Sequence, residues 1–123
     1  MHLVDSSGWL EYFTGGKNAN HFAPAILDTS NLLVSAINLY EVYKKVLAEK
    51  DENTAIQVLG LMRQGNVIAV DITLAISAAQ FSRKLKLPMA DSLIYASARR
   101  FNAIVWTQDA DFKSLDGVKY FEK

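Results

Sequence analysis

The chain has 123 residues, and its 13 lysines and arginines are balanced by 13 aspartates and glutamates, for a formal net charge of zero. This length predicts one domain with a real core, and the neutral balance excludes a protein that grips nucleic acid mainly through a basic surface; action on nucleic acid would need another source of positive charge, with bound metal the obvious one. Cysteine is absent, which excludes disulfides, thiolate–zinc sites and a cysteine nucleophile, while the lack of an apolar run near the roughly 20 residues of a membrane span and an acid directly after Met1-His2-Leu3-Val4 make a cytoplasmic protein without a signal peptide the expectation.

Leu3-Val4 predicts a short first strand ending at Asp5. Ser6 and Ser7 are natural helix starters. Trp9, Leu10, Tyr12 and Phe13 make the next helix strongly apolar, and Gly15-Gly16 stops it. A second helix is expected from His21 to Leu27, followed by a turn at Asp28-Thr29-Ser30-Asn31. Leu32-Leu33-Val34-Ser35-Ala36 reads as the second strand. Asn38 then offers a cap, with Glu41 three residues on and Tyr40, Val42, Tyr43, Val46 and Leu47 along the helix. Lys50-Asp51-Glu52-Asn53 is a polar break. Ala55 to Met62 has helical spacing and is ended by Gly65-Asn66.

Val67-Ile68-Ala69-Val70 is the third expected strand, with Asp71 after it and Thr73 as the cap of a helix through Ile76, Ala79, Phe81 and Leu85. Pro88 suits the first position of a further helix, because its φ is already fixed. Asp91 lies in that first turn, Leu93, Ile94, Ala96, Ala98 and Phe101 carry the apolar character, and Asn102 is the stop. Ala103-Ile104-Val105-Trp106 is wholly apolar, as in a strand buried on both faces. It runs into Thr107-Gln108-Asp109-Ala110-Asp111-Phe112, and Gly117 to Phe121 predicts a last edge strand.

Strands alternating with helices imply an α/β fold: a parallel sheet with helices on both faces. The C-terminal strand ends then share one edge, where such sheets bind ligands. Asp5 and Asp109 fall just past strand ends, and Glu41 lies early in the helix after the second strand. Asp91 opens a helix that follows another helix, so its place depends on the Lys86-Leu87-Pro88 corner. Each acid also has a plain structural role open to it. Glu41 completes a capping box with Asn38, Asp91 opposes a helix dipole, Asp109 caps a short helix, and Asp5 is a loop residue. Asp71 follows an apolar run as well and serves as the internal control.

Several stretches carry a resemblance. Val4-Asp5-Ser6-Ser7-x-Trp9-Leu10, then Ala90-Asp91-Ser92-Leu93-Ile94 with Ala96 and Ala98, then Thr107-x-Asp109-x-Asp111-Phe112 resemble the PIN-domain ribonucleases, and within them the VapC-like toxins of prokaryotic toxin–antitoxin pairs. Ser6 stands where threonine often follows the acid, and Glu41 fills the glutamate of the pattern. The resemblance covers nearly the whole chain. It implies a single domain over residues 1–123, a PIN-like three-layer α/β/α sandwich with a central, mostly parallel sheet of about four or five strands. It also implies one site that gathers Asp5, Glu41, Asp91 and Asp109. Carboxylates that close repel strongly in a low-dielectric cleft, unless partly protonated or holding cations. Oxygen donors alone favour a hard ion, Mg²⁺, with Mn²⁺ able to substitute.

On this reading Asp5 and Asp91 are the direct ligands. Asp109 and Glu41 complete a second site, bind through water or orient the attacking water. Ser6 and Thr107 hydrogen-bond the carboxylates, and Asp111 caps or pairs locally. The resemblance implies an endoribonuclease acting on single-stranded or looped RNA, a homodimer, and a cognate antitoxin that covers the active site. Attack by an activated water needs no 2′-hydroxyl nucleophile, so 5′-phosphate and 3′-hydroxyl ends are expected. Lys44, Lys45, Arg83, Lys84 and Lys86 are candidates to rim the cleft. The aromatic residues Trp9, Tyr12, Phe13, Tyr40 and Tyr43 are read as core, with an antitoxin or dimer interface as the other use. His2 and His21 match no ligand spacing. One rival is a receiver-like phosphoacceptor domain, but Asp5 is followed by serines rather than by a second acid. The other is a non-catalytic PIN-like binding module, whose mark would be a missing acid; none is missing.

Overall fold

The computed structural model describes residues 1–123. Its sheet has five strands: β1 (His2–Val4), β2 (Leu32–Ser35), β3 (Asn66–Ile68), β4 (Ile104–Thr107) and β5 (Val118–Tyr120), in the spatial order β3-β2-β1-β4-β5. Every pairing is parallel. Alternation along the strands divides the apolar residues between two faces. Val4, Leu32, Val34 and Trp106 join Trp9, Phe22, Val42 and Met62 in one core. That core is completed by α1 (Ser6–Thr14), α2 (Ala19–Leu27), α3 (Ala36–Glu49) and α4 (Glu52–Met62). Leu3, Leu33 and Val105 face the other way and join Ile94, Tyr95, Ala98 and Phe112, under α5 (Ile72–Leu85) and α6 (Met89–Arg100). Each large apolar side chain buried this way contributes on the order of 1.5–3 kcal/mol. The expected three-layer sandwich is present, with five strands, all parallel. None of its helices is long and apolar enough to cross a membrane.

The helix starts differ from expectation, and the differences bear on the site. α1 is capped by Asp5 rather than by Ser6 or Ser7: Gly8 N–H donates to Asp5 Oδ1 at 3.1 Å. α3 begins at Ala36, because β2 runs straight into it and Ser35 is already extended. Ser35 Oγ accepts from Ile37 N–H, and Ser35 N–H donates to Asn38 Oδ1. Asn38 is therefore the return arm of the capping box, not its cap, and Glu41 takes no part in it. α5 is capped by Asp71, not Thr73, through Leu74 N–H at 2.8 Å. β3 ends at Ile68, short of the expected Val70, and β4 runs one residue further, to Thr107. Ile104 is 40 % exposed, so β4 is buried on both faces only along its C-terminal part.

The corner before α6 determines where Asp91 goes. α5 stops at Lys86 in the left-handed conformation (φ 57°). Leu87 is then buried in the second core, and Ser82 Oγ donates to its carbonyl at 2.7 Å. Pro88, in the cap position, turns the chain into α6, whose first turn holds Asp91. α6 packs along α5 and against β2 and β4. At the other end, Asn102 (φ 52°) stops the helix as expected. β1 has β2 on one side and β4 on the other, so the chain reverses direction across the sheet between β1 and β4. Open α/β sheets bind ligands beyond the strand ends at such a switch point.

Candidate functional site

Asp5 lies directly past the end of β1 and is 3 % exposed. Its N–H donates to the Trp106 carbonyl at 3.1 Å, continuing the β1–β4 ladder past the strand. Its carboxylate receives the Ser7 hydroxyl, shared between the two oxygens at 2.8 and 3.0 Å, together with Gly8 N–H. Burial pushes its pKa up to about 6. Hydrogen bonds from Ser7, Gly8 and Thr107 pull the other way, and the Asp109 charge adds to the rise.

Asp91, Asp109 and Asp111 each bring a carboxylate oxygen within 4.8 Å of the others. Asp91 is half-buried, and its pKa is pushed up to about 8. Desolvation is the main cause, followed by the Asp109 charge, a hydrogen bond with Asp111, the Asp111 charge and the Asp5 charge. Nothing cationic is among these causes. Asp109 caps the 3₁₀ turn Ala110–Phe112 by accepting from Asp111 N–H at 2.9 Å, while its own N–H donates to Thr107 Oγ1 at 2.8 Å. Of the two roles expected for Asp111, capping or pairing locally, capping falls to Asp109, and Asp111 instead hydrogen-bonds Asp91. With its N–H bound to Asp109 and Phe112 fully buried, the tight turn swings the Asp111 carboxylate towards Asp91. The usable signal was the spacing itself: an acid two residues after a capping acid, anchored by a buried aromatic.

Glu41 is half-buried and stands apart from that trio. It accepts from Ser6 Oγ at 2.7 Å, and Ser6 Oγ accepts from Asn38 Nδ2 at 3.1 Å. A relay from buried Asn38 through Ser6 thus orients Glu41, and Ser6 adjoins Asp5 in the chain. The structure brings Asp91, Asp109 and Asp111 together, with Asp5 near enough for its charge to act on Asp91, and links Glu41 to Ser6, the residue after Asp5. Sequence reasoning missed Ser7, whose hydroxyl holds Asp5, and cast Asn38 only as a cap. Among the candidate basic residues, Lys45 shares one groove with Glu41 and another with Ser7, and it pairs with Glu49 at 2.9 Å. His21 packs on Phe121 and His2 lies 3.4 Å from Asp28; neither enters the acidic group.

Fold and site together define a parallel α/β protein with a cluster of carboxylates at the switch point of its sheet. The sequence profile of the PIN domain matches residues 2–118, and the chain belongs to that family. The fold is shared with a toxin–antitoxin complex from Klebsiella pneumoniae (TM-score 0.84, 22 % identity, all of both chains covered). It is also similar to VapC20 of Mycobacterium tuberculosis, described as a sarcin–ricin loop cleaving toxin (TM-score 0.79, 16 % identity, 96 % of this chain and 97 % of that one). A third likeness is to FitAcB from Neisseria gonorrhoeae (TM-score 0.71, 22 % identity, 98 % and 97 %). No curated protein matches the chain by sequence.

Proposed function

We propose that this chain is a divalent-metal-dependent endoribonuclease and the toxin of a VapBC-type toxin–antitoxin pair. The observation that carries the reading is the convergence of Asp91, Asp109 and Asp111, with Asp5 near enough for its charge to act on Asp91 and no lysine or arginine among the charges that do. The donor set fits Mg²⁺ or Mn²⁺. Every donor is a hard oxygen, and three carboxylates close enough to share one ion are the donor set such a cation takes. When bound, the cation lowers the pKa of an attacking water and offsets phosphate charge.

The residues divide the remaining work. Asp5 and Asp91 would be the direct ligands in most metal-bound states, with Asp109 and Asp111 able to contribute further oxygens. Ser7 and Thr107 hydrogen-bond the Asp5 carboxylate and oppose the rise in its pKa that burial causes. Glu41, oriented by Ser6, positions the attacking water. The substrate is unpaired RNA, whose exposed backbone and splayed bases can enter an edge pocket. The toxin reading draws on family membership and on the toxin–antitoxin structures that share the fold. A shallow apolar groove on α3 and α4, formed by Leu39, Tyr43, Leu47 and Leu59 with Tyr40 63 % exposed, suits an apolar antitoxin segment. The exposed Ile72, Ile76 and Met89 of α5 and α6 suit a homodimer contact.

The test is cleavage of end-labelled RNAs by the purified protein with Mg²⁺, Mn²⁺ or EDTA, beside Asp91→Asn. The expected outcome is metal-dependent cleavage that leaves 5′-phosphate ends and is lost in the variant. Cleavage of equal rate by the variant, or 2′,3′-cyclic phosphate products, would overturn the reading.

A further inference from the structure

A polar groove of about 260 Å³ adjoins the carboxylates. Its lining includes Ser7, Glu11, Gln108, Lys45 and Lys123, with Leu10 its single apolar residue. It touches the site at two points. Ser7 holds Asp5, and Gln108 lies between Thr107 and Asp109 with its backbone N–H 3.4 Å from Ser7 Oγ.

Behind two of the groove's side chains, Glu11 and Gln108, lies Asn18, which is 2 % exposed. Asn18 Nδ2 donates to the Glu122 carbonyl at 3.0 Å, and a carbonyl only accepts, so the orientation of this amide is unambiguous. The same Nδ2 donates to Gln108 at 3.0 Å, so Gln108 must present Oε1 to it. That leaves Gln108 Nε2 as a donor without a partner in the protein, on a side chain that cannot flip without breaking the bond to Asn18. Asn18 also donates its backbone N–H to Glu11 Oε2 at 2.9 Å, fixing the carboxylate in the same groove. A fixed donor and a fixed acceptor therefore share one wall system, both held by one buried residue.

Charge narrows the occupant. Lys45 and Lys123 are matched by Glu11 and Glu49, and Lys45 is already paired with Glu49. A phosphate gains little in a groove whose charges cancel. A neutral, flat group with an acceptor beside a donor on its edge is complementary. Building on the nuclease reading above, we infer that this groove is a nucleobase subsite, in which Gln108 Nε2 donates to, and Glu11 accepts from, the edge of an unpaired base next to the scissile phosphate. Gln108 is thus a specificity-determining residue. Unpaired bases are read on such edges when splayed from a single strand, and side-chain amides and carboxylates are the groups that read them.

The experiment uses fluorescently labelled single-stranded tetranucleotides, one for each base at a central position, bound to full-length Asp91→Asn protein and followed by anisotropy. The Asp91→Asn background prevents cleavage, so the result does not depend on the nuclease reading, which stands or falls on the cleavage test. Discrimination among the four bases is expected, and Gln108→Ala should weaken the preferred one by roughly fivefold, the loss of one hydrogen bond. Gln108→Glu keeps the shape and the acceptor to Asn18 but replaces the donor by an acceptor. It should shift preference towards bases that present an amino group, an effect that a merely structural role would not produce. Equal binding of all four bases, or an unchanged preference in a folded Gln108→Glu variant, would overturn the proposal.

Discussion

Asp5 and Asp71 begin from the same local instruction and end as chemical opposites. Each follows a strand and caps the next helix from an extended backbone, accepting the N–H three residues on: Gly8 at 3.1 Å and Leu74 at 2.8 Å. Asp5 follows the central strand β1 and is buried, and this desolvation, with a smaller push from the Asp109 charge, raises its pKa to about 6. Asp71 follows the edge strand β3 and is exposed, and Arg100 Nη1 lies 2.8 Å from its carboxylate. The Arg100 hydrogen bond, with that of Leu74, holds its pKa below the usual carboxylate value. An acid that caps a helix after a strand thus has its pKa raised or lowered according to the strand's place in the sheet and the charge delivered opposite it.

The largest expected effect follows directly. Asp5→Asn should reduce metal-dependent RNA cleavage to background, while Asp71→Asn should cleave at the wild-type rate with only a lowered melting temperature. Loss of cleavage in both variants would erase the distinction.

Next in size is Gly8→Ala. A Cβ at this helical position would sit 2.7 Å from both Phe22 and Val4, in the close-packed turn that Asp5 caps. Overpacking of this kind costs about 1–3 kcal/mol, to be read as a lower urea midpoint. A neutral result would mean that the Asp5 turn is looser than the contacts imply.

Ser6→Ala sharpens the picture on the Glu41 side. It removes the link between Asn38 and Glu41 and leaves every carboxylate in place. A drop in kcat/KM of about tenfold is expected with an unchanged melting temperature. Wild-type kinetics would release Glu41 from the proposed role.

A last comparison is the pH dependence of stability without metal. Asp5 and Asp91 have folded-state values of about 6 and about 8, above the ordinary 3.8. Between the ordinary and folded values the folded chain holds protons that the unfolded chain has released, so stability falls as pH rises and levels off above about 8. Asp71 has the opposite sign: its contribution is present above 3.8 and is lost as pH falls through its lowered value. Thermal melts in EDTA should therefore show a melting temperature that declines from pH 5 to pH 9. Asp91→Asn should flatten the upper part of that decline, and Mg²⁺ should raise the melting temperature more at pH 8.5 than at pH 5.5. A flat profile between pH 6 and pH 8.5 would contradict the electrostatic account of Asp91.

Reading from sequence worked where the determinant was local. The apolar runs located every strand to within a residue or two, and Gly15 and Asn102, both with positive φ, ended their helices as expected. Helix starts were less legible. A capping side chain is selected by where the preceding strand releases the backbone, which moved the caps from Asn38 to Ser35 and from Thr73 to Asp71. Within the site, Asp5, Asp91 and Asp109 were found by motif, whereas Ser7, Asp111 and Asn18 were not given their positions. Ser7 is one of two adjacent serines, and only the helix direction decides which hydroxyl reaches Asp5. Asn18 draws its meaning from Gln108 and Glu122, 90 and 104 residues away.

The sequence by itself determined a parallel α/β chain and the presence of acids at strand ends and helix starts, because periodicity and turn chemistry act over a few residues. Only the tertiary structure decided which of those acids meet. The order β3-β2-β1-β4-β5 places Asp5 beside Asp109, and the Lys86–Pro88 corner carries Asp91 over to them. Charge interactions depend on distance in space, and distance in space is set by packing.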